Sequence, residues 1–140
     1  MPSRVSALSV GSKELTHLVR DAFLLCPQSS LSVAETFWDL CSLSLREKEQ
    51  VSVAVLDLSS SESELRQKTE HIRRRWPEAA ILLVGDSLHH LDDPLYDERV
   101  ASDIQPTELL AVVERLLAHK RLANRFRHCY LFEGVGRYGA

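Results

Sequence analysis

Val51-Ser-Val-Ala-Val-Leu-Asp-Leu-Ser-Ser60 decides how this chain is read. In an extended segment Val51, Val53 and Val55 fall on one face, and Ser52, Ala54 and Leu56 on the other. Both faces are small or apolar, which is the pattern of a parallel strand covered by helices on both sides. The run closes on one carboxylate, Asp57, followed by serines. An acid ending a buried parallel strand stands at the carboxyl edge of the sheet, where open α/β sheets gather ligands and chemistry.

Toward the N-terminus, Arg4–Val10 reads as a short strand stopped by Gly11. A helical stripe of Leu15, Leu18, Val19, Ala22 and Phe23 follows, capped by Ser12 or Gly11. It ends at Cys26-Pro27, because the residue before proline is pushed out of the α region. Leu31–Ala34 is a further strand, and Phe37, Leu40, Cys41, Ser44 and Leu45 make a second helical stripe. Toward the C-terminus, Ser61-Glu-Ser-Glu64 is a capping box. The helix it opens should turn Leu65, Ile72 and Trp76 inward and Arg66, Lys68 and Arg73 to Arg75 outward, up to Pro77. Ala79–Val84 is the most apolar strand, closed by Gly85-Asp86. Ser87–Pro94 reads as a short helix or loop, and Glu98–Ser102 as a short strand. Pro106 suits a first helical turn. The helix it opens carries Leu109, Val112, Val113, Leu116 and Leu117 and should continue through His128. Five strands alternating with five helices imply an α/β domain with one doubly wound parallel sheet and right-handed crossovers.

The 140 residues suit one domain over 1–120, with 121–140 as a helical extension and a glycine-rich tail. A net charge of -3 gives no argument for nucleic acid or an anionic membrane, and neither is expected as a partner. No apolar run approaches the roughly 18–20 residues of a membrane span, and the first residues lack a signal peptide's apolar core. Cys26, Cys41 and Cys129 are odd in number and without metal spacing, so they read as buried thiols of a cytoplasmic protein.

Three stretches resemble the receiver domain of two-component response regulators. Val53-Ala-Val-Leu-Asp-Leu58 is similar to the third strand, with Asp57 at the phosphoacceptor position. Ile72–Val84 resembles the third helix, its proline and the fourth strand, and Val100–Leu110 the fifth strand and the start of the fifth helix. The resemblance spans roughly residues 4–118 and implies a flavodoxin-like sheet of order 2-1-3-4-5. It also implies a phosphorelay signalling module: not an enzyme, with a histidine kinase or other signalling protein as partner. A homodimer through the fourth and fifth helices and the fifth strand is implied too.

The sequence departs from the family at its active site. The acidic pair ending the family's first strand falls on about Ser9-Val10, its Thr or Ser after the fourth strand on Gly85, and its Lys-Pro on Ser102-Asp103. Phosphoryl transfer to a carboxylate needs the charges of two anions neutralised, and Mg²⁺ needs several oxygen ligands. Losing one such contact costs about 10²–10³ in rate. The expectation is a stand-alone pseudo-receiver without cofactor, Mg²⁺ entering only if Asp57 is phosphorylated. The alternative keeps Asp57 as a working phosphoacceptor, with Asp86 partly replacing the lost acids.

Other constellations weigh less. His89 and His90, being adjacent, point apart, so with Asp92 and Asp93 they read as a solvated loop rather than a metal site. Ser59, Ser60 and Ser61 have no partner base and read as a loop and helix cap. The basic run 119–128 suits a helix C-terminus, while Phe126, Tyr130, Leu131 and Phe132 call for a surface to pack on. A nucleotide-binding or enzymatic role on the same scaffold lacks a glycine-rich phosphate loop or a base–nucleophile pair.

Overall fold

A computed structural model describes residues 5–46, 50–58, 61–85 and 96–120. Five parallel strands, β1 (Val5–Val10), β2 (Ser29–Ala34), β3 (Val53–Asp57), β4 (Ala80–Val84) and β5 (Glu98–Val100), form one sheet of order β2-β1-β3-β4-β5. Among the described residues four helices accompany it: α1 (Lys13–Leu24), α2 (Phe37–Arg46), α3 (Glu62–Arg75) and α4 (106–120). The expected helix or loop at Ser87–Pro94 lies outside the described residues, as does the continuation of α4 beyond 120.

The alternation read along Val53–Leu56 becomes two cores, one on each face of the sheet. Val53 and Val55 join Ala7, Leu82 and Val84 beneath Leu15, Val19 and Phe23 of α1 and Leu109, Val113 and Leu116 of α4. Ala54 and Leu56 join Leu8, Val10, Ile81 and Leu83 beneath Leu40 of α2 and Leu65 and Ile72 of α3. The expected stripes of α1 and α4 are therefore the faces they bury, and Val53 to Leu56 are all fully buried. Sheet burial on both faces accounts for the nearly continuous apolar strands.

Local signals set the helix ends. The Ser12 hydroxyl accepts the Leu15 N–H as N-cap of α1, and the Ser61 hydroxyl accepts the Glu64 N–H as N-cap of α3. Each relieves one of the amides that a helix start leaves without an internal partner. Thr36 and Asp39 cap α2 reciprocally, each side chain accepting the other's backbone N–H, at 3.1 and 3.3 Å.

Two expected orientations are corrected. Leu45, read as part of the inward stripe of α2, is 88% exposed, while Leu40 and Ser44 are buried. Leu45 lies two turns beyond Trp38 on the outer face of the helix, opposite the buried Leu40 and Ser44. Lys68, read as outward, is 2% exposed, its ammonium 3.4 Å from Glu64 one turn earlier. Its aliphatic stem covers apolar surface while the head stays with a carboxylate.

At the opposite edge of the sheet, Asp97 ties three elements together. Its carboxylate accepts the Ile81 N–H of β4 at 2.7 Å, pairs with Arg73 of α3 at 3.1 Å and with Lys120 of α4 at 3.3 Å. Arg115 of α4 also pairs with Glu98 of β5.

Candidate functional site

In a sheet of this order the chain runs from β1 to β2 on one side, then crosses back from β2 to β3 on the other side of β1. The carboxyl edge between β1 and β3 is thus a topological switch point, where ligands bind in open α/β folds. The end of β3 and the loops that follow β1, β4 and β5 bring Asp57, Ser12, Gly85 and Ser102 to one cleft of about 180 Å³ there, with Glu14, Leu15, Leu18 and Val84.

Asp57 ends β3 and is half-buried. The Ser12 hydroxyl donates to its Oδ2 at 2.6 Å, within the range of O–H···O⁻ bonds to a charged acceptor. The same oxygen atom of Ser12 accepts the Leu15 N–H at 3.3 Å, so one side chain joins the start of α1 to the acid of β3. The first-turn amides and dipole of α1 favour negative charge at this place.

Gly11 makes the approach possible. The register pairs Val10 with Leu56, so Gly11 comes beside Asp57. Its φ is +151°, and a Cβ built on it would lie 2.6 Å from the Asp57 Cβ. No side chain fits there, acidic or otherwise. Gly85 is similar: its φ is +147° and a Cβ would meet the Leu58 Cβ at 2.8 Å.

Of the positions marked as altered, Gly85 and Ser102 reach the cleft. Ser9 and Val10 do not: both lie inside β1, fully buried, and the Ser9 hydroxyl is without a hydrogen-bond partner among the described residues. The residue that meets Asp57 from the first strand's end is Ser12. Its sequence signal, a serine before an apolar helical stripe, announces only the cap; the bond to Asp57 depends on the β1–β3 register. Asp86, His89, His90, Asp92, Asp93, Ser59 and Ser60 lie outside the described residues, as do Cys129 and the aromatic residues of the tail.

The cleft carries the carboxylates of Asp57 and Glu14 and the hydroxyls of Ser12 and Ser102; among its described lining residues there is no lysine or arginine. Among the described residues no three His, Cys, Asp or Glu side chains cluster as a metal site. These residues do not fit a Mg²⁺ centre: one of the two carboxylates is engaged by a hydroxyl proton, and the hard cation prefers several anionic or carbonyl oxygens. No helix among the described residues is long and apolar enough to cross a membrane.

Away from the cleft, His71 of α3 bridges to α2. Its Nε2 lies 3.0 Å from the Ser44 hydroxyl, which is also 2.8 Å from the Cys41 carbonyl, and its ring meets Phe37 edge-on at 5.8 Å. Ser44 has one hydroxyl proton; given to the Cys41 carbonyl, it leaves His71 Nε2–H as the donor to Ser44. Burial holds the His71 pKa below its ordinary value, helped by the positive charges of Arg74 and Arg75.

No protein-family model matches this sequence, and no curated protein matches it either. Solved structures do. A response regulator receiver domain protein from Methanospirillum hungatei has a TM-score of 0.70 at 15% identity, over 86% of this chain and 99% of that one. A response regulator from Thermotoga maritima, solved in complex with Mg²⁺ and BeF, has a TM-score of 0.61 at 18% identity, over 80% and 98%. A structure of adenylate cyclase from Rhodopirellula baltica gives 0.73 at 10% identity, over 91% and 97%. The chain has the fold of response regulator receiver domains, the flavodoxin-like sheet expected from its sequence.

Proposed function

We propose that this chain is a signalling module of the receiver type that works by binding protein partners, with Asp57 held as a structural carboxylate rather than used as a phosphoacceptor. The observation that carries the reading is the Ser12–Asp57 hydrogen bond. A hydroxyl donor stands against the acid at the point where phosphorylation would need a cation to draw two anions together. Glu14 and Ser102 add one more negative charge and a neutral hydroxyl to the same cleft, which leaves an incoming phosphoryl group without a described positive partner. The one hydroxyl–carboxylate pair described in the cleft, Ser12 with Asp57, is also committed to the start of α1 through the Leu15 N–H, which supports reading the chain as a binding protein.

The Thermotoga relative provides the test, since it was solved with Mg²⁺ and BeF. Beryllofluoride with Mg²⁺ should leave the amide NMR spectrum of this protein unchanged, and acetyl phosphate with Mg²⁺ should add no phosphoryl mass. A spectral shift or added mass that disappears in Asp57→Ala would establish the second reading, a working phosphoacceptor.

A further inference from the structure

Among the described residues the large apolar side chains left in water are Leu24, Leu25, Val33, Trp38 and Leu45. None belongs to α4 or β5. The two most exposed, Trp38 at 79% and Leu45 at 88%, both lie on α2. They are seven residues apart, which places them on one face about 10 Å from each other along the helix. The inner side of α2 is taken by Leu40 and Ser44, so this apolar pair points away from the domain.

A second pair repeats the spacing. Asp39 and Arg46 are exposed, seven residues apart and of opposite charge, and both lie on the same flank of the Trp38–Leu45 line. The other flank carries Cys41, partly exposed, and Ser42 lies between the two large side chains. In an isologous contact, residue i of one copy meets residue j of the other and the reverse. Two α2 helices laid antiparallel about a twofold axis level with Cys41 and Ser42 therefore match every group. Trp38 packs on Leu45 twice, and Asp39 meets Arg46 twice on one side. The small residues at the axis allow the close approach of about 8–10 Å that packed helices adopt. The platform is firm, because the Thr36–Asp39 capping pair locks the first turn and Phe37 and His71 hold the inner face.

We propose that the outer face of α2 is a homodimerisation surface, its occupant a second copy of this chain in antiparallel register. The assignment rests on the self-complementary spacing of Trp38 with Leu45 and of Asp39 with Arg46, and does not depend on the state of Asp57. Tryptophan is enriched among the few residues that carry most of the energy of an interface.

Light scattering of the full chain across a concentration series tests it. The protein should be dimeric at sub-millimolar concentration, and Trp38→Glu and Leu45→Glu should each weaken the dimer about tenfold or more with an unchanged far-ultraviolet spectrum. Arg46→Glu should also weaken it, and the exchanged pair Asp39→Lys with Arg46→Glu should recover much of that loss, an unchanged far-ultraviolet spectrum showing that α2 survives losing the Asp39 cap. A short bismaleimide should link Cys41 to Cys41 when Cys26 and Cys129 are replaced by serine, and should fail to do so when Trp38→Glu is added. A monomer at every concentration, or a dimer indifferent to both glutamate substitutions, would overturn the proposal. A charge exchange that recovers nothing would overturn the antiparallel register.

Discussion

The Ser12 hydroxyl donates to Asp57 across 2.6 Å while accepting one of the free first-turn amides of α1, that of Leu15. Losing the hydroxyl removes a cap and a bond to a carboxylate together. Ser12→Ala should therefore destabilise the protein by about 1–3 kcal/mol, read from urea denaturation. Ser12→Asp keeps a capping oxygen but sets a second carboxylate beside Asp57. It should lower the melting temperature in metal-free buffer, through like-charge repulsion, and Mg²⁺ should restore it. Equal Mg²⁺ effects on wild type and Ser12→Asp would count against the account of the cleft given above.

Gly11 occupies backbone space that no other residue shares. Its φ of +151° and the 2.6 Å separation from the Asp57 Cβ mean that Gly11→Ala must move β1 or β3. Backbone strain alone should cost about 1–3 kcal/mol, with steric displacement of Asp57 in addition. Urea denaturation measures the loss, and amide shifts at residues 57 and 58 should report the displacement.

His71 links stability to pH. Its folded-state pKa lies below the ordinary value of 6.5, so folding favours the neutral ring. That contribution is fully present above the unfolded pKa and is lost as pH falls below it toward the folded value. Stability should decline as pH falls below about 6.5, and His71→Gln should flatten that part of the profile while the carboxylate-dependent fall at lower pH persists. Chemical denaturation at a series of pH values makes the comparison.

Asp97 joins β4, α3 and α4 through one carboxylate. Asp97→Ala strands the Ile81 N–H and deprives Arg73 and Lys120 of a shared partner. The expected loss is about 2–3 kcal/mol, mostly from the unpaired backbone amide. Asp97→Asn should recover part of it, since an amide oxygen can still accept the Ile81 N–H. Added salt should narrow the gap between wild type and Asp97→Asn only slightly, because exposed ion pairs contribute little.

The sheet was legible because burial on both faces leaves a mark in sequence. Val53 to Leu56 and Ala80 to Val84 are apolar without a polar face, and parallel strands under helices require that. Ser12 was legible as a cap and not as the neighbour of Asp57, since the second role is fixed by a register between strands 40 or so residues apart, which local periodicity does not encode. Leu45 and Lys68 were misplaced for a related reason. Helical spacing identifies which residues share a face, but the width of the buried strip depends on where the helix sits over the sheet. A leucine at the margin can then stand in water, and a lysine can bury its stem.

The strand order has a consequence in time. Val5–Val10 precedes all the other strands in the chain, yet it lies inside the sheet, paired with β2 on one side and β3 on the other. During synthesis it is made first and completed third. Until Val53–Leu56 has emerged, one of its edges has no native neighbour, and the helices made meanwhile have only a two-stranded ribbon to pack on. Such a ribbon is marginal in water, and parallel pairing is slow because distant segments must meet first. The segment Val53–Leu56 therefore gives β1 its second neighbour, while both cores still wait for β4 and one of them for α4.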